Sequence, residues 1–245
     1  MESTTYAVES AIEQNHWWFV GRRQLFSSHI KALNLPLDAM ILDVGTSTGT
    51  NLRLLKGMGF TSYRGLDSSP DAICWCDEKG LGTVDLGTIY AIPHLDSTFD
   101  LILATDIIEH LDDDVAALTE LKRVLKPGGT ILLTVPAFPC LWGLQDEVAH
   151  HKRRYRIRDL RERINRSKLS CRESYHFNFL LFLPIWLARR LIWLLDINLK
   201  SENQVNTFSL NMMLKWVFLL DVALARLLRL PFGVSILAII GRDAP

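Results

Sequence analysis

From Ala39 onward the chain alternates short apolar runs with amphipathic stretches of about ten residues. Met40-Ile41-Leu42-Asp43-Val44 reads as a buried strand that ends on a glycine. Asn51 to Met58 follows as a helix, then Ser62 to Leu66 as a second strand ending at Asp67. Pro70 to Lys79 reads as a helix with proline in its first turn, and Gly82 to Val84 as a weak third strand. Phe99 to Ala104 is a strongly apolar fourth strand. Asp112 to Leu125 is a helix whose three leading aspartates complement the positive end of its dipole, and Lys126-Pro127-Gly128-Gly129 stops it. Thr130 to Val135 is a fifth strand.

Strands alternating with helices indicate βαβ units and a parallel sheet, and their continuous apolar character means that both sheet faces are covered. Around this core, the segment up to about Leu35 reads as a helix with an aromatic cluster, His16-Trp17-Trp18-Phe19. Residues 137–155 form a long aromatic and basic connection, followed by a helix from Arg158 to Asn165 and a sixth strand from Leu169 to Phe177. Two apolar helices, near 179–196 and 208–229, precede Pro231-Phe232-Gly233 and a last strand, Val234 to Ile240. The expected fold is α/β: a Rossmann-like, doubly wound, mostly parallel seven-stranded sheet. Residues 1–35 form an N-terminal helical cover, 36–178 and 231–245 the Rossmann-like domain, and 179–230 an apolar helical insert before the last strand. Sheets of this kind bind ligands beyond the carboxyl ends of their strands. That points to Gly45 to Gly49, Asp67, Asp85, and Thr105 to His110.

Composition narrows the function. Lys plus Arg, 27, equals Asp plus Glu, so no global charge draws the chain to nucleic acid or to an anionic membrane. A local excess runs from Lys152 to Lys168, where nine Lys or Arg face two acids; it reads as a solvated helix face, without the aromatic interleaving of a nucleic-acid site. Cys74, Cys76, Cys140 and Cys171 lack zinc-ligand spacing and read as reduced thiols of a cytoplasmic protein, so no metal site is expected. The polar first fifteen residues carry no apolar signal core. Neither stretch of the insert is an uninterrupted span: Pro184, Arg189 and Arg190 break the first, and Lys215, Asp221, Arg226 and Arg229 the second. The insert therefore packs on its own core, meets a second copy, or lies on a membrane surface.

The chemistry sits in Ile41-Leu42-Asp43-Val44-Gly45-Thr46-Ser47-Thr48-Gly49-Thr50, a strand running through a glycine turn into a helix. A dinucleotide site would place glycine at 45, 47 and 50, and Ser47 and Thr50 fail that test. The spacing resembles motif I of class I S-adenosylmethionine-dependent methyltransferases instead. Gly65-Leu66-Asp67-Ser68-Ser69-Pro70, Asp85-Leu86, Phe99 to Ala104 with Asp106 to Leu111, and Leu121 to Gly129 resemble the family's later segments in order. The outer segments, His16 to Arg23 and Asp146 to Tyr155, resemble a bacterial small-molecule subset whose substrates are mostly unassigned.

The resemblance implies S-adenosylmethionine as cofactor and S-adenosylhomocysteine as product. It implies cofactor contacts from Asp43, Gly45, Thr46, Ser47, Gly49, Asp67, Ser68, Asp85, Leu86 and Thr105, with Asp67 on the ribose and Asp85-Leu86 near adenine. Ser47 stands at the family's middle glycine, where its side chain either crowds the methionine moiety or bonds it; a non-catalytic scaffold is the reading if it crowds. Methyl transfer is an in-line displacement in which the protein positions and desolvates. An oxygen nucleophile gains from a general base, for which His110 is the candidate; its other reading is a helix cap. Asp106, nearer the strand end, is expected to touch cofactor or substrate. Trp18 and Arg22 on the cover, and Asp146, His150, His151, Arg153, Arg154 and Tyr155 on the long connection, are the expected substrate contacts. The expected acceptor is a small-molecule or lipid-linked compound, anionic in one form, with an oxygen or nitrogen nucleophile.

Overall fold

The computed structural model describes residues 3–194 and 207–243. Residues 195–206 of the expected insert, and the extreme ends of the cover and of the core, lie outside the described residues. Seven strands form one sheet: β1 (Ile41–Val44), β2 (Tyr63–Asp67), β3 (Val84–Leu86), β4 (Phe99–Thr105), β5 (Leu125–Pro136), β6 (Ser170–Phe177) and β7 (Ser235–Gly241). Their order is β3-β2-β1-β4-β5-β7-β6, with β7 antiparallel to both neighbours and every other pairing parallel. The order reverses between β1 and β4, which opens a crevice at their carboxyl ends. This is the expected α/β architecture.

Around the sheet lie α1 (Ser3–Ile12), α2 (Trp17–Ala32), α3 (Thr50–Gly57), α4 (Pro70–Glu78), α5 (Asp114–Val124), α6 (Leu144–Val148), α7 (Ile157–Arg166), α8 (Phe182–Leu194) and α9 (Phe208–Leu228). On one face α5 and α7 bury Leu118, Leu121, Leu160 and Ile164 against Ile102, Leu133 and Ile236. On the other, Leu25 and Phe26 of α2, Leu55 of α3, and Phe218 and Val222 of α9 pack on Leu103, Leu132, Phe177 and Leu237. Alternate residues of each strand thus serve opposite layers, which is why the strands read as continuous apolar runs.

Three expectations change. The N-terminal segment is two helices: the chain turns after Ile12, and the His16 side chain accepts from the Trp18 N–H to cap α2. The helix before the fifth strand begins at Asp114, where the Asp113 side chain accepts from the Ala116 N–H. The Lys126-Pro127-Gly128-Gly129 stop is part of β5, because Gly128 N–H donates to the Arg242 carbonyl and Arg242 N–H to that of Gly129. The apolar insert, further, is not separate from the cover. Phe218 of α9 stacks on Trp18 with ring centroids 5.3 Å apart and planes 5° from parallel, and Trp17 meets it edge-on. Gly21 permits this approach, since a Cβ there would stand 2.1 Å from the Phe218 ring.

Candidate functional site

The turn after β1 is shaped by three left-handed residues, Gly45 (φ 74°), Ser47 (φ 51°) and Gly49 (φ 85°). A Cβ on Gly45 would stand 2.5 Å from Ile107, so only glycine lets the strand end lie this close to the segment after β4. Ser47 adopts its conformation at a cost of about 1–2 kcal/mol. Its N–H donates to Asp67 Oδ2 at 2.9 Å and its hydroxyl to Glu9 Oε2 at 3.0 Å, and the two bonds hold it there. The serine side chain is therefore engaged with α1. Asp67 also accepts from the Ser69 N–H at Oδ1, 3.0 Å. A carboxylate has about four acceptor sites, so both oxygens keep capacity for further donors.

Over this turn opens a cleft of about 530 Å³, within the range that encloses a small ligand. Gly45, Thr46, Ser47, Asp67, Ser68 and Thr105 line it as the sequence predicts, and so do Asp106, His110, Arg22 and His150. Arg22 reaches down from α2, where its guanidinium lies over the Trp18 and Phe26 rings, and pairs with Asp106 Oδ2 at 2.7 Å. Its buried Nε has no acceptor among the described residues. Asp106 is itself left-handed (φ 53°), and its Oδ1 accepts from the Thr134 hydroxyl. His110 is pushed down to about 4 by burial and by its neighbour His151, so its imidazole is neutral at pH 7.

The sequence reading missed α1. Tyr6 and Glu9 line the cleft, and Glu13, buried at its edge, accepts hydrogen bonds from the Thr48 and Thr50 hydroxyls, from Arg53 and from Lys79. A polar helix without apolar periodicity gives no sign of this function. Burial raises the Glu9 carboxyl above its ordinary value, against the hydrogen bond from Ser47.

Several expected contacts are corrected. Asp43 is fully buried beneath the turn, bonded through Oδ1 to Asn51, whose amide also donates to Thr105; it supports the cleft rather than lining it. Gly49 caps α3 and packs on Leu81 and Cys76 instead of lining the cleft. Asp85 is taken by Arg64 and His94, and Leu86 turns outward; the wall next to them is Gly87, Thr88 and Ile89, which lie just past the strand end. Trp18 belongs to the aromatic stack with Phe218 and Phe177.

In the long connection, Asp146 accepts from His151 Nδ1, Arg154 Nε and the Gly143 N–H. Burial alone would raise its carboxyl, but the hydrogen bonds from His151 and Arg154 prevail and hold it down to about 2. Tyr155 is buried, with its hydroxyl donating to Asp114; Arg153 also bonds Asp114 and the carbonyls of Leu111 and Asp112. The acid and basic residues read as a substrate loop are thus mostly an internal clamp, because a long irregular segment must satisfy its buried polar groups somewhere. Of that set His150 lines the cleft, and Ala149 and Lys152 join it.

The fold and the cleft at the strand switch define the class I methyltransferase architecture. Residues 42–133 match the family described as a methyltransferase domain. Demethylmenaquinone methyltransferase of Bacillus licheniformis is 28% identical over 122 residues, 47% of this chain and 53% of that protein. A Schizosaccharomyces pombe protein described as an uncharacterized methyltransferase is 54% identical over 46 residues, 19% of this chain and 16% of its own length. The chain thus spans about half or less of these curated relatives. Among solved structures, an S-adenosylmethionine-dependent methyltransferase of Archaeoglobus fulgidus superimposes with a TM-score of 0.55 at 18% identity, covering 90% of this chain and 94% of that one. The match over residues 42–133 points to S-adenosylmethionine as cofactor.

Proposed function

We propose that this chain transfers a methyl group from S-adenosylmethionine to a small-molecule or lipid-linked acceptor through an oxygen or nitrogen nucleophile. The observation that carries the reading is the pairing of Asp67 with the glycine turn. One carboxylate fixes the Ser47 turn through its N–H and still presents lone pairs to the cleft, where two adjacent ribose hydroxyls need a bidentate acceptor. Arg22 also lines the cleft, and its guanidinium supplies the cation for the cofactor's carboxylate. The residues present fit the cofactor at both ends.

When bound, the cofactor supplies an activated methyl carbon. The chain's own groups do the rest. Gly45 permits close approach, and Tyr6, Phe19 and Phe26 exclude water from the cover side. His110, neutral at physiological pH, takes the acceptor proton, and Asp106 orients the acceptor against Arg22. His150 and Lys152 line the cleft, and an anionic acceptor would compete with Asp112 for the Lys152 ammonium. Calorimetric titration with S-adenosylhomocysteine, with NADH as control, tests the reading: binding of the first and not the second is expected, and the reverse would replace it with an oxidoreductase. Binding of S-adenosylhomocysteine with no turnover on any acceptor would favour a non-catalytic scaffold.

The lipid-linked version rests on exposed apolar residues of two helices, Leu183, Leu187, Leu191 and Leu194 of α8 and Met213, Trp216 and Leu220 of α9. α9 is also long and apolar enough to cross a membrane by length and composition, yet Phe218, Asp221, Val222 and Ala225 are buried in its own fold. A cytoplasmic protein with these residues against a bilayer surface is the version we propose. Co-sedimentation with liposomes is expected; a homodimer in solution with no liposome binding would assign these residues to a second copy.

A further inference from the structure

Behind the cleft, three side chains from distant parts of the chain converge. Glu109 and His110 lie on the short helical turn after β4, and His151 follows α6. One donor atom from each comes within 4.8 Å of the others. Glu109 is completely buried, and neither of its carboxylate oxygens has a hydrogen-bond partner. A native interior rarely leaves both oxygens of a carboxyl group without a partner.

The two histidines are aimed by their surroundings. His151 bonds Asp146 Oδ1 through Nδ1 at 2.8 Å, which places its proton there and turns the Nε2 lone pair towards Glu109, 3.9 Å from Oε1. The His110 ring stands edge-on to it with centroids 4.7 Å apart, beside the main-chain carbonyls of Ala149 and His150. A histidine oriented by an outer carboxylate or carbonyl, with its other nitrogen free, is the arrangement found around metal ligands.

We propose that Glu109, His110 and His151 bind a first-row transition-metal dication of the zinc type. Two imidazoles and one carboxylate suit zinc, and magnesium or calcium would seek more oxygen donors. Ligands at about 2.1 Å from a tetrahedral ion stand about 3.4 Å apart, so binding draws the three donors inward by roughly 1 Å. The ion would tie the turn after β4 to the long connection, and would give Asp146 a function beyond holding Arg154. With the ion bound, His110 would have no lone pair left for a proton, and the metal would take over its role as base: because His110 lines the cleft, the ion's open position would take water or an acceptor oxygen and lower its pKa; that extension alone rests on the methyl-transfer reading. The spacing of the ligands along the chain carries no metal signature, which is why the sequence pointed to none.

The test uses the full chain, freed of metal by a chelator and titrated calorimetrically with Zn²⁺, with Mg²⁺ as control. The expected result is one saturable equivalent of Zn²⁺, little Mg²⁺ binding, and a higher melting temperature with Zn²⁺. Glu109→Gln keeps the shape of the side chain and removes a buried acid, so the variant is expected to fold at least as stably as the parent while losing at least about 100-fold in Zn²⁺ affinity. His151→Ala is expected to lose the site as well. Equal Zn²⁺ binding by parent and Glu109→Gln, or no saturable binding by the parent, overturns the proposal. A parallel titration with S-adenosylhomocysteine separates the two readings, since Zn²⁺ binding without it would leave the metal site standing and remove the methyltransferase function.

Discussion

Replacing Asp67 by alanine tests the cofactor site at its most specific point. The carboxylate accepts from Ser47 and Ser69 and keeps outward lone pairs for the two ribose hydroxyls. A hydrogen bond to a charged group contributes about 1.5–3 kcal/mol, and water entering the truncated site recovers part of two such bonds. The expected loss of S-adenosylhomocysteine affinity is about 2–4 kcal/mol, or roughly 30- to 1,000-fold in Kd. Loss of the turn's anchor would also weaken binding, so the measurement is a cycle. Calorimetry is run on the parent and on Asp67→Ala with S-adenosylhomocysteine and with its dideoxyribose analogue. The parent should lose about 2 kcal/mol or more on the analogue, and the variant should lose little further. If removing the hydroxyls costs the variant as much as the parent, Asp67 only shapes the turn and the ribose assignment falls.

Three further outcomes follow from the buried charges and rings. Burial pushes the Asp43 carboxyl up to about 7, although the Asn51 hydrogen bond opposes this. An acid raised on folding contributes stability that is complete below about pH 4 and lost as pH rises through about 7, here up to about 4 kcal/mol. Asp43→Asn should flatten that part of the profile in denaturant melts near pH 5 and pH 8, and an unchanged slope would contradict the buried, ionising acid. Asp146 behaves oppositely: its stabilisation is present above about pH 4 and fades as pH falls through about 2. Asp146→Asn removes the carboxylate shared by His151 and Arg154 and should cost about 3–5 kcal/mol in urea unfolding. Trp18→Ala should cost a similar amount through the stack with Phe218, while the folded fraction keeps its affinity for S-adenosylhomocysteine; a selective loss of affinity would return Trp18 to the site.

The sheet was legible because each strand is an apolar run ended by a turn residue, and the cofactor turn because Gly45, Ser47 and Asp67 fall at strand ends. What did not show was the use made of polar groups. Asp146, Arg154 and Tyr155 look like a substrate loop because their partners, His151, Ala137 and Asp114, are identified only by the fold. Glu9 and Glu13 look like surface acids of a polar helix, and only docking of α1 over the turn brings them to Ser47, Thr48 and Thr50. Asp85 illustrates the opposite error: it stands at the expected place on β3, but Arg64 on the neighbouring strand claims it.

β7 has a consequence for how the molecule comes apart. Among the described residues it is the one strand that joins β6 to the rest of the sheet, inserted between β5 and β6 with antiparallel ladders on both sides. If β7 detaches, β6 leaves with it, and β5 offers an open edge through the buried run Ile131-Leu132-Leu133. Such an edge recruits another chain. Slow amide exchange should therefore fail in β6 and β7 together, before the β1–β4 half, and heating should end in aggregation seeded at β5 rather than in reversible unfolding.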